Sequence, residues 1–456
     1  MRSCLYAILI ALFTAIVAGP SLAQTTAADS DGGQMTGVIA PADEEEDAQA
    51  EEPAKDPPFG EYGKFLKHTE NLLLSLDLWG SSATIPEGFG VVFMGWQTRR
   101  AWKRFDEHRK IVDIVPVIDA PDPFEQKGKF FELVLNIDGR VSGYGAGFQY
   151  GLTDRITLGI DTYWAIIHLK LKPEFRPGSS EQVGIVTLDD IYTVLELVGR
   201  PELVTEYDSD PVDFGDTTIS AKWNYFRAEH VSTAMTLGLV TPTAHEADPN
   251  ENIIFGLGPD LDTGVGTWGI KGVHNFDIRP PDPVKAVTFS LGLEGAIFLE
   301  DRRETPTFGE LNTDVRDYLQ SQGVDVDIFP DLSDIGNYYY YTPPPYFAAS
   351  FGIGAGPLSI AYRHGFGGAA NYRTNSEGLK TLIEETGLVG YGDDGKLIFN
   401  LVVPLTPLYF PGLVNFNFEY ATDGRNALIF RDIYTIGVGI GLPLALPDRY
   451  KMNVEP

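Results

Sequence analysis

Beyond residue 88 the chain alternates apolar and polar side chains over stretches longer than ordinary soluble strands. In 155–167 the set Ile156, Leu158, Ile160, Thr162, Trp164 and Ile166 is mostly apolar, and its complement is Arg155, Thr157, Gly159, Asp161, Tyr163 and Ala165. In 287–299 the apolar set Val287, Phe289, Leu291, Leu293, Ile297 and Leu299 opposes Thr288, Ser290, Gly292 and Glu294. Val414, Phe416, Phe418 and Tyr420 oppose Asn415, Asn417 and Glu419, and Tyr434, Ile436, Val438 and Ile440 oppose Thr435, Gly437 and Gly439. A period of two puts the sets on opposite faces of a strand. Soluble sheets alternate too, but their strands usually run about five or six residues. Stretches of ten or more suit a tilted crossing of a hydrocarbon layer about 30 Å thick. Aromatic clusters at Trp223, Tyr225 and Phe226, at Tyr338 to Tyr341, at Tyr346 and Phe347, and at Tyr409 and Phe410 fit interfacial girdles. A tyrosine cluster in a loop is the plain alternative.

The connections then suggest a topology. Residues 151–154, 227–230, 279–283 and 356–357 are short turns, and between them lie the long segments 168–213, 243–262, 300–343 and 367–394. Alternating short and long connections mark barrels with tight periplasmic turns and long external loops. Strands are expected at 88–97, 139–150, 155–168, 214–226, 231–242, 263–277, 285–299, 345–355, 358–366, 395–404, 413–422 and 427–442. The fold expected is all-β: a transmembrane antiparallel up-and-down β-barrel of about 12 strands, with both ends in the periplasm. A fourteen-strand variant would add 111–118 and 130–137 as a hairpin.

The rest of the chain divides around that barrel. Arg2, the apolar run Leu5 to Ala18 and Ser21-Leu22-Ala23 read as a signal peptide over 1–23, since the run is shorter than the roughly 20 residues of a spanning helix. Residues 24–58, with Asp43 to Asp47 and Glu51-Glu52, read as an acidic disordered leader. A periplasmic segment at 59–87 carries a helix candidate over 62–76, and 443–456 forms a polar tail beyond a barrel at 88–442. Leu311, Val315 and Leu319 suggest a short helix in a loop. The formal charge of −30 argues against nucleic-acid binding, and no feature specifies an oligomeric state. Cys4, the only cysteine, precedes the apolar run, so the exported chain has no disulfide and no thiolate metal site.

Catalytic patterns are weak. The seven histidines lack zinc-helix spacing, no phosphate-cradling loop or Gly-x-Ser-x-Gly elbow occurs, and no cofactor is implied. Acidic pairs at Asp260 and Asp262 and at Asp325 and Asp327 lack the calcium-loop pattern, so no metal is expected. His230 and Ser232 share a strand parity, as a barrel lipid hydrolase would need, but lie by a short turn. The better candidates are inward charges. With the apolar faces toward lipid, Asp161, Lys222, Lys271, Glu294, Arg363, Lys396 and Glu419 point into the lumen, because a charge at mid-membrane costs about 2–4 kcal/mol. They either pair to stiffen a narrow barrel or line a solute path.

Three motifs carry a family resemblance. Residues 150–159 read YGLTDRITLG, residues 214–223 read FGDTTISAKW, and residues 238–243 read GLVTPT. In this order, over roughly 139–300, they resemble outer-membrane transporters of the phenol-degradation MetA-pathway family. Ala244 stands where relatives usually place glycine, and the chain closes on Asn453 to Pro456 rather than on an aromatic residue. The resemblance implies passage of small hydrophobic or aromatic solutes, with outer-membrane lipids and the barrel assembly machinery as partners. A structural or surface-interaction barrel with a plugged lumen is the alternative.

Overall fold

A computed structural model describes residues 81–113, 118–121, 129–177, 207–209, 212–244, 264–281, 287–305, 317, 336–377, 380, 392–408 and 410–444. Twelve long strands form the wall. They are β1 (Phe89–Phe105), β2 (Lys129–Thr153), β3 (Ile156–Pro177), β4 (Thr217–Arg227), β5 (Val231–Thr241) and β6 (Gly269–Ile278). They continue as β7 (Val287–Phe298), β8 (Tyr346–Ala355), β9 (Leu358–Gly367), β10 (Gly392–Pro404), β11 (Gly412–Arg425) and β12 (Leu428–Pro443). Each pairs antiparallel with its sequence neighbours. The ring closes where β1 pairs β12 from Phe89↔Pro443 to Arg104↔Leu428 while also pairing β2. Closure leaves no wall strand as an open edge, which is what a sheet in hydrocarbon requires.

The wall is inside out relative to a soluble core. Leu237, Leu293, Ile297, Phe416 and Tyr434 are exposed, while Thr157, Ser220, Thr236, Asn275, Asn415 and Thr435 are buried. The exposed set is the alternating apolar face, so this face meets lipid and the polar face packs inward.

The fourteen-strand variant is not formed. Residues 130–137 are the upper part of β2, whereas Ile111–Val112 makes only a two-residue pair with β1 and Ile118–Pro121 pairs with β2. Strands β2 and β3 are 25 and 22 residues long, well past the expected ends near 139 and 168. Residues 169–175, LKLKPEF, still alternate, so the ladder continues to Phe131↔Pro177. Strand β6 begins at Gly269 rather than near 263, because 264–268 is held in an irregular neck described below. The tyrosines at 338–341 do not form a girdle. They occupy a separate three-stranded ladder with Asp301–Glu304 and Asn371–Arg373. The helix candidate at 62–76, nearly all of 311–319, and the acidic pairs at 260–262 and 325–327 lie outside the described residues.

Leu237 sits mid-strand on β5 and is 50% exposed. Leu237→Arg is expected to lower unfolding stability in lipid vesicles by about 2–4 kcal/mol. A cost below about 0.5 kcal/mol in urea titrations would reject this lipid-face assignment.

Candidate functional site

The lumen is the concave, charged part of the molecule. Its floor is a strap made of residues 81–88, immediately before β1. Ser82 N–H and Oγ–H donate to Asp277 Oδ2 on β6 at 2.7 and 2.5 Å. Asn224 on β4 donates to Ser82 O at 2.7 Å, and Asn275 donates to Ser81 O at 3.1 Å. Ile85 N–H donates to Thr157 Oγ1 on β3 at 2.8 Å. Thr84 Oγ1 donates to Asp154 O at 2.7 Å, Glu87 N–H to Asp154 Oδ1 at 3.2 Å, and Gly88 N–H to Gly151 O at 2.9 Å. The strap therefore runs inside the wall beneath β6, β4 and β3, at the end with the short turns. Ile85 is fully buried, and a Cβ on Gly151 would strike the Ile85 and Pro86 carbonyls. Glycine at 151 is what lets the strap backbone approach.

The mid-lumen holds a band of ion pairs. Glu294 on β7 lies 3.2 Å from Lys271 Nζ on β6 and 3.3 Å from Arg363 Nη2 on β9. Lys396 on β10 lies 3.0 Å from Glu419 on β11. Arg363 and Lys396 are direct cross-strand partners, so two cations stand side by side. Like charges in that position repel, and the two carboxylates, one on either side, offset it. Arg363 also donates to the Tyr346 hydroxyl. Asp161 on β3 and the buried Lys222 on β4 face the lumen elsewhere around the wall. The structure thus puts all seven candidate charges on the inward face and joins five of them in this band.

At the opposite end a second polar cluster holds a loop neck. Asp216, 5% exposed, accepts from Val265 N–H at 2.7 Å, Gly266 N–H at 3.1 Å and Ala244 N–H at 3.2 Å. Thr217 N–H donates to Thr243 Oγ1 at 2.7 Å, and Arg303 Nη2 donates to Val265 O at 2.8 Å. Burial pushes the Asp216 carboxyl up from its ordinary value, against the opposing pull of its three N–H donors and of Arg303. Gly264 packs against Ala244, and a Cβ there would strike the Ala244 methyl and Asp216. Glycine at 264 thus accommodates the alanine at 244.

Sequence reasoning missed Asp277 and Asp216. Asp277 has the parity of Lys271 on the same strand, and that signal was available. His230 is exposed in its turn, while Ser232 Oγ accepts from Asn224 at 2.9 Å. The serine thus takes part in the polar wiring around the strap.

These features define a transmembrane β-barrel of the outer-membrane type. No family model matches the chain, and no curated protein matches it in sequence. An outer-membrane channel from Pseudomonas putida F1 is 11% identical, with 80% of this chain and 98% of that chain covered at TM-score 0.42. CymD, a monoaromatic hydrocarbon channel, is 9% identical over 84% of this chain and 93% of its own, at TM-score 0.30. A TodX mutant, also a monoaromatic hydrocarbon channel, is 10% identical over 79% and 92%, at TM-score 0.31. Superpositions at this level carry no functional argument, and the barrel stands on its own closed ladder.

Glu294→Ala would leave two buried cations without their carboxylate and is expected to cost about 3–5 kcal/mol. Replacing Lys271, Glu294 and Arg363 together by Met, Leu and Met should recover most of that loss. Equal losses in single and triple variants, read by denaturant unfolding, would show that pairing is not what matters. For Asp216 the folded chain holds its proton more tightly than the unfolded chain. Its stability contribution is therefore greatest below the ordinary carboxylate value and falls as pH rises through the raised one. The stability difference between the protein and Asp216→Asn should shrink as pH rises above the ordinary carboxylate value of about 4. A difference independent of pH would count against this.

Proposed function

We propose that the protein is an outer-membrane channel for small hydrophobic solutes, aromatic compounds among them. One observation carries the reading. The mid-lumen charges are closely packed, with side chains of Lys271, Glu294 and Arg363 only 5–10% exposed and Lys396 17%. A water-filled pore would bathe such groups, so passive flow of ions and hydrophilic molecules is disfavoured. A solute that crosses must displace the strap or shift the charged band, which is the behaviour of a selective channel. The solute class rests on the resemblance of the three motifs to the phenol-degradation family. The serine–histidine pair that the sequence offered adds little support for a hydrolase, since Ser232 Oγ accepts from Asn224 and His230 is exposed in its turn.

The same packing favours a second reading, a closed barrel that works through its external face. There Arg302 stacks on Tyr338 and Arg373 on Tyr340, each guanidinium 4.2 Å from the ring centroid. Transport measurements separate the two. The channel reading expects low single-channel conductance in planar bilayers and higher conductance in Asp277→Ala, which loses the acceptor that holds Ser82. It also expects faster uptake of a radiolabelled monocyclic aromatic by cells expressing the protein. Uptake equal to that of empty-vector cells, with Asp277→Ala electrically silent, would leave the closed barrel as the better account.

A further inference from the structure

Arg431 on β12 is the cross-strand partner of Arg100 on β1, Arg100 is the partner of Arg140 on β2, and Arg140 is the partner of His168 on β3. Cross-strand partners share a face, so four basic side chains stand in one row across four neighbouring strands. The face is the outer one. Arg100 continues the parity of Met94, which is 61% exposed, and His168 continues that of Leu158 and Ile160, also exposed. All three arginines are exposed. Such an arrangement places like charges opposite one another, which a sheet avoids unless something offsets the repulsion.

The height of the row identifies its surroundings. From Phe89 at the short-turn end to Arg100 is eleven residues, or about 36 Å along the strand. At a tilt of about 40° this is a rise of about 28 Å, just beyond an apolar band about 25 Å tall. Lower on the same faces, Trp96, Tyr144 and Trp164 form a cross-strand aromatic row, in which Tyr144 and Trp164 stack at 5.7 Å. Above the basic row, Lys170 and Lys172 are exposed on β3. Elsewhere around the wall the corresponding height stays apolar, with Trp268, Ile297, Leu299 and Phe366 exposed. The basic row is therefore local, and it stands in a chain whose formal charge is −30.

We propose that this row binds the phosphorylated headgroup of outer-leaflet lipopolysaccharide. Three strand spacings make the row about 14 Å wide, comparable with a disaccharide bearing a phosphate at each end. Arginine guanidinium groups recognise phosphate through paired N–H donors. Two carboxylates lie beside the row. Asp138 is matched to Arg100 by two hydrogen bonds of 2.8 Å, and Asp432 follows Arg431 in the chain. Arg431 also stacks on Trp102, 2.9 Å from the ring centroid, which holds its guanidinium at the wall. The proposal rests on placement in the outer membrane and is independent of solute passage.

The test uses the full-length folded barrel in detergent, with binding read by native mass spectrometry. The probes are bisphosphoryl lipid A, dephosphorylated lipid A and phosphatidylglycerol. Bisphosphoryl lipid A should bind best, and Arg140→Gln with Arg431→Gln should weaken it by about tenfold or more, with Arg140→Lys retaining part of the affinity. If the double variant loses heat-modifiable migration, Arg140→Gln alone is read in its place. Equal binding of dephosphorylated lipid A, equal binding of phosphatidylglycerol, or unchanged affinity in a folded variant would each overturn the proposal. Membrane fractionation separates the two failures. A barrel found outside the outer membrane removes the placement itself, whereas a barrel in the outer membrane with no phosphate dependence removes only the lipid site.

Discussion

Hydrocarbon offers no partner to a backbone N–H or C=O, so every strand in it must be paired on both sides. The seam between β1 and β12 therefore carries the architecture: without it two strand edges would face lipid. Once the ring is closed, each side chain has only two destinations, lipid or lumen. The period-two pattern then sorts the whole sequence, and polar residues that would line the surface of a soluble protein become the interior.

An interior built from polar residues must be wired together, because buried polar groups without partners are costly. Here the wiring takes three forms at three heights. The strap supplies backbone groups to Asp277, Asn275, Asn224 and Thr157 at one end. The band from Lys271 to Glu419 pairs charges in the middle. Asp216 gathers three backbone N–H groups at the other end. This layered polar filling packs the lumen together with a minority of apolar side chains such as Ile85 and Ile433.

The strand positions and the lipid face were legible because period-two alternation is a local signal and the energetic penalty for violating it is large. Leu291, Leu293 and Ile297 illustrate it: alternation assigned them outward, and they are exposed. Strand ends were less legible. The change from apolar to charged residues at Arg140 and His168 resembles a strand terminus, yet the ladder continues through it. The partners of Glu294 were not legible, since register between strands depends on turn lengths and bulges that single residues do not announce. The strap was hidden for a related reason. Ser81 to Gly88 has no periodicity, and its position follows from partners more than 60 residues away in the chain.

The conspicuous motifs now have physical causes. In YGLTDRITLG, Gly151 makes room for the strap, Asp154 accepts from Thr84 and Glu87, and Thr157 accepts from Ile85. In FGDTTISAKW, Asp216 and Thr217 are the acceptor and donor that close the neck onto Thr243 and Ala244, which belong to or follow GLVTPT. The first motif is thus a receptor for the chain's own N-terminal segment, and the other two are halves of one loop anchor. Both devices sit at the ends of β3 to β6, where the wall must bind irregular backbone at its two mouths. The long β2 and β3 carry one flank of that wall past its neighbours. The three motifs, at 150–159, 214–223 and 238–243, therefore track the geometry of the two mouths more closely than they track a solute.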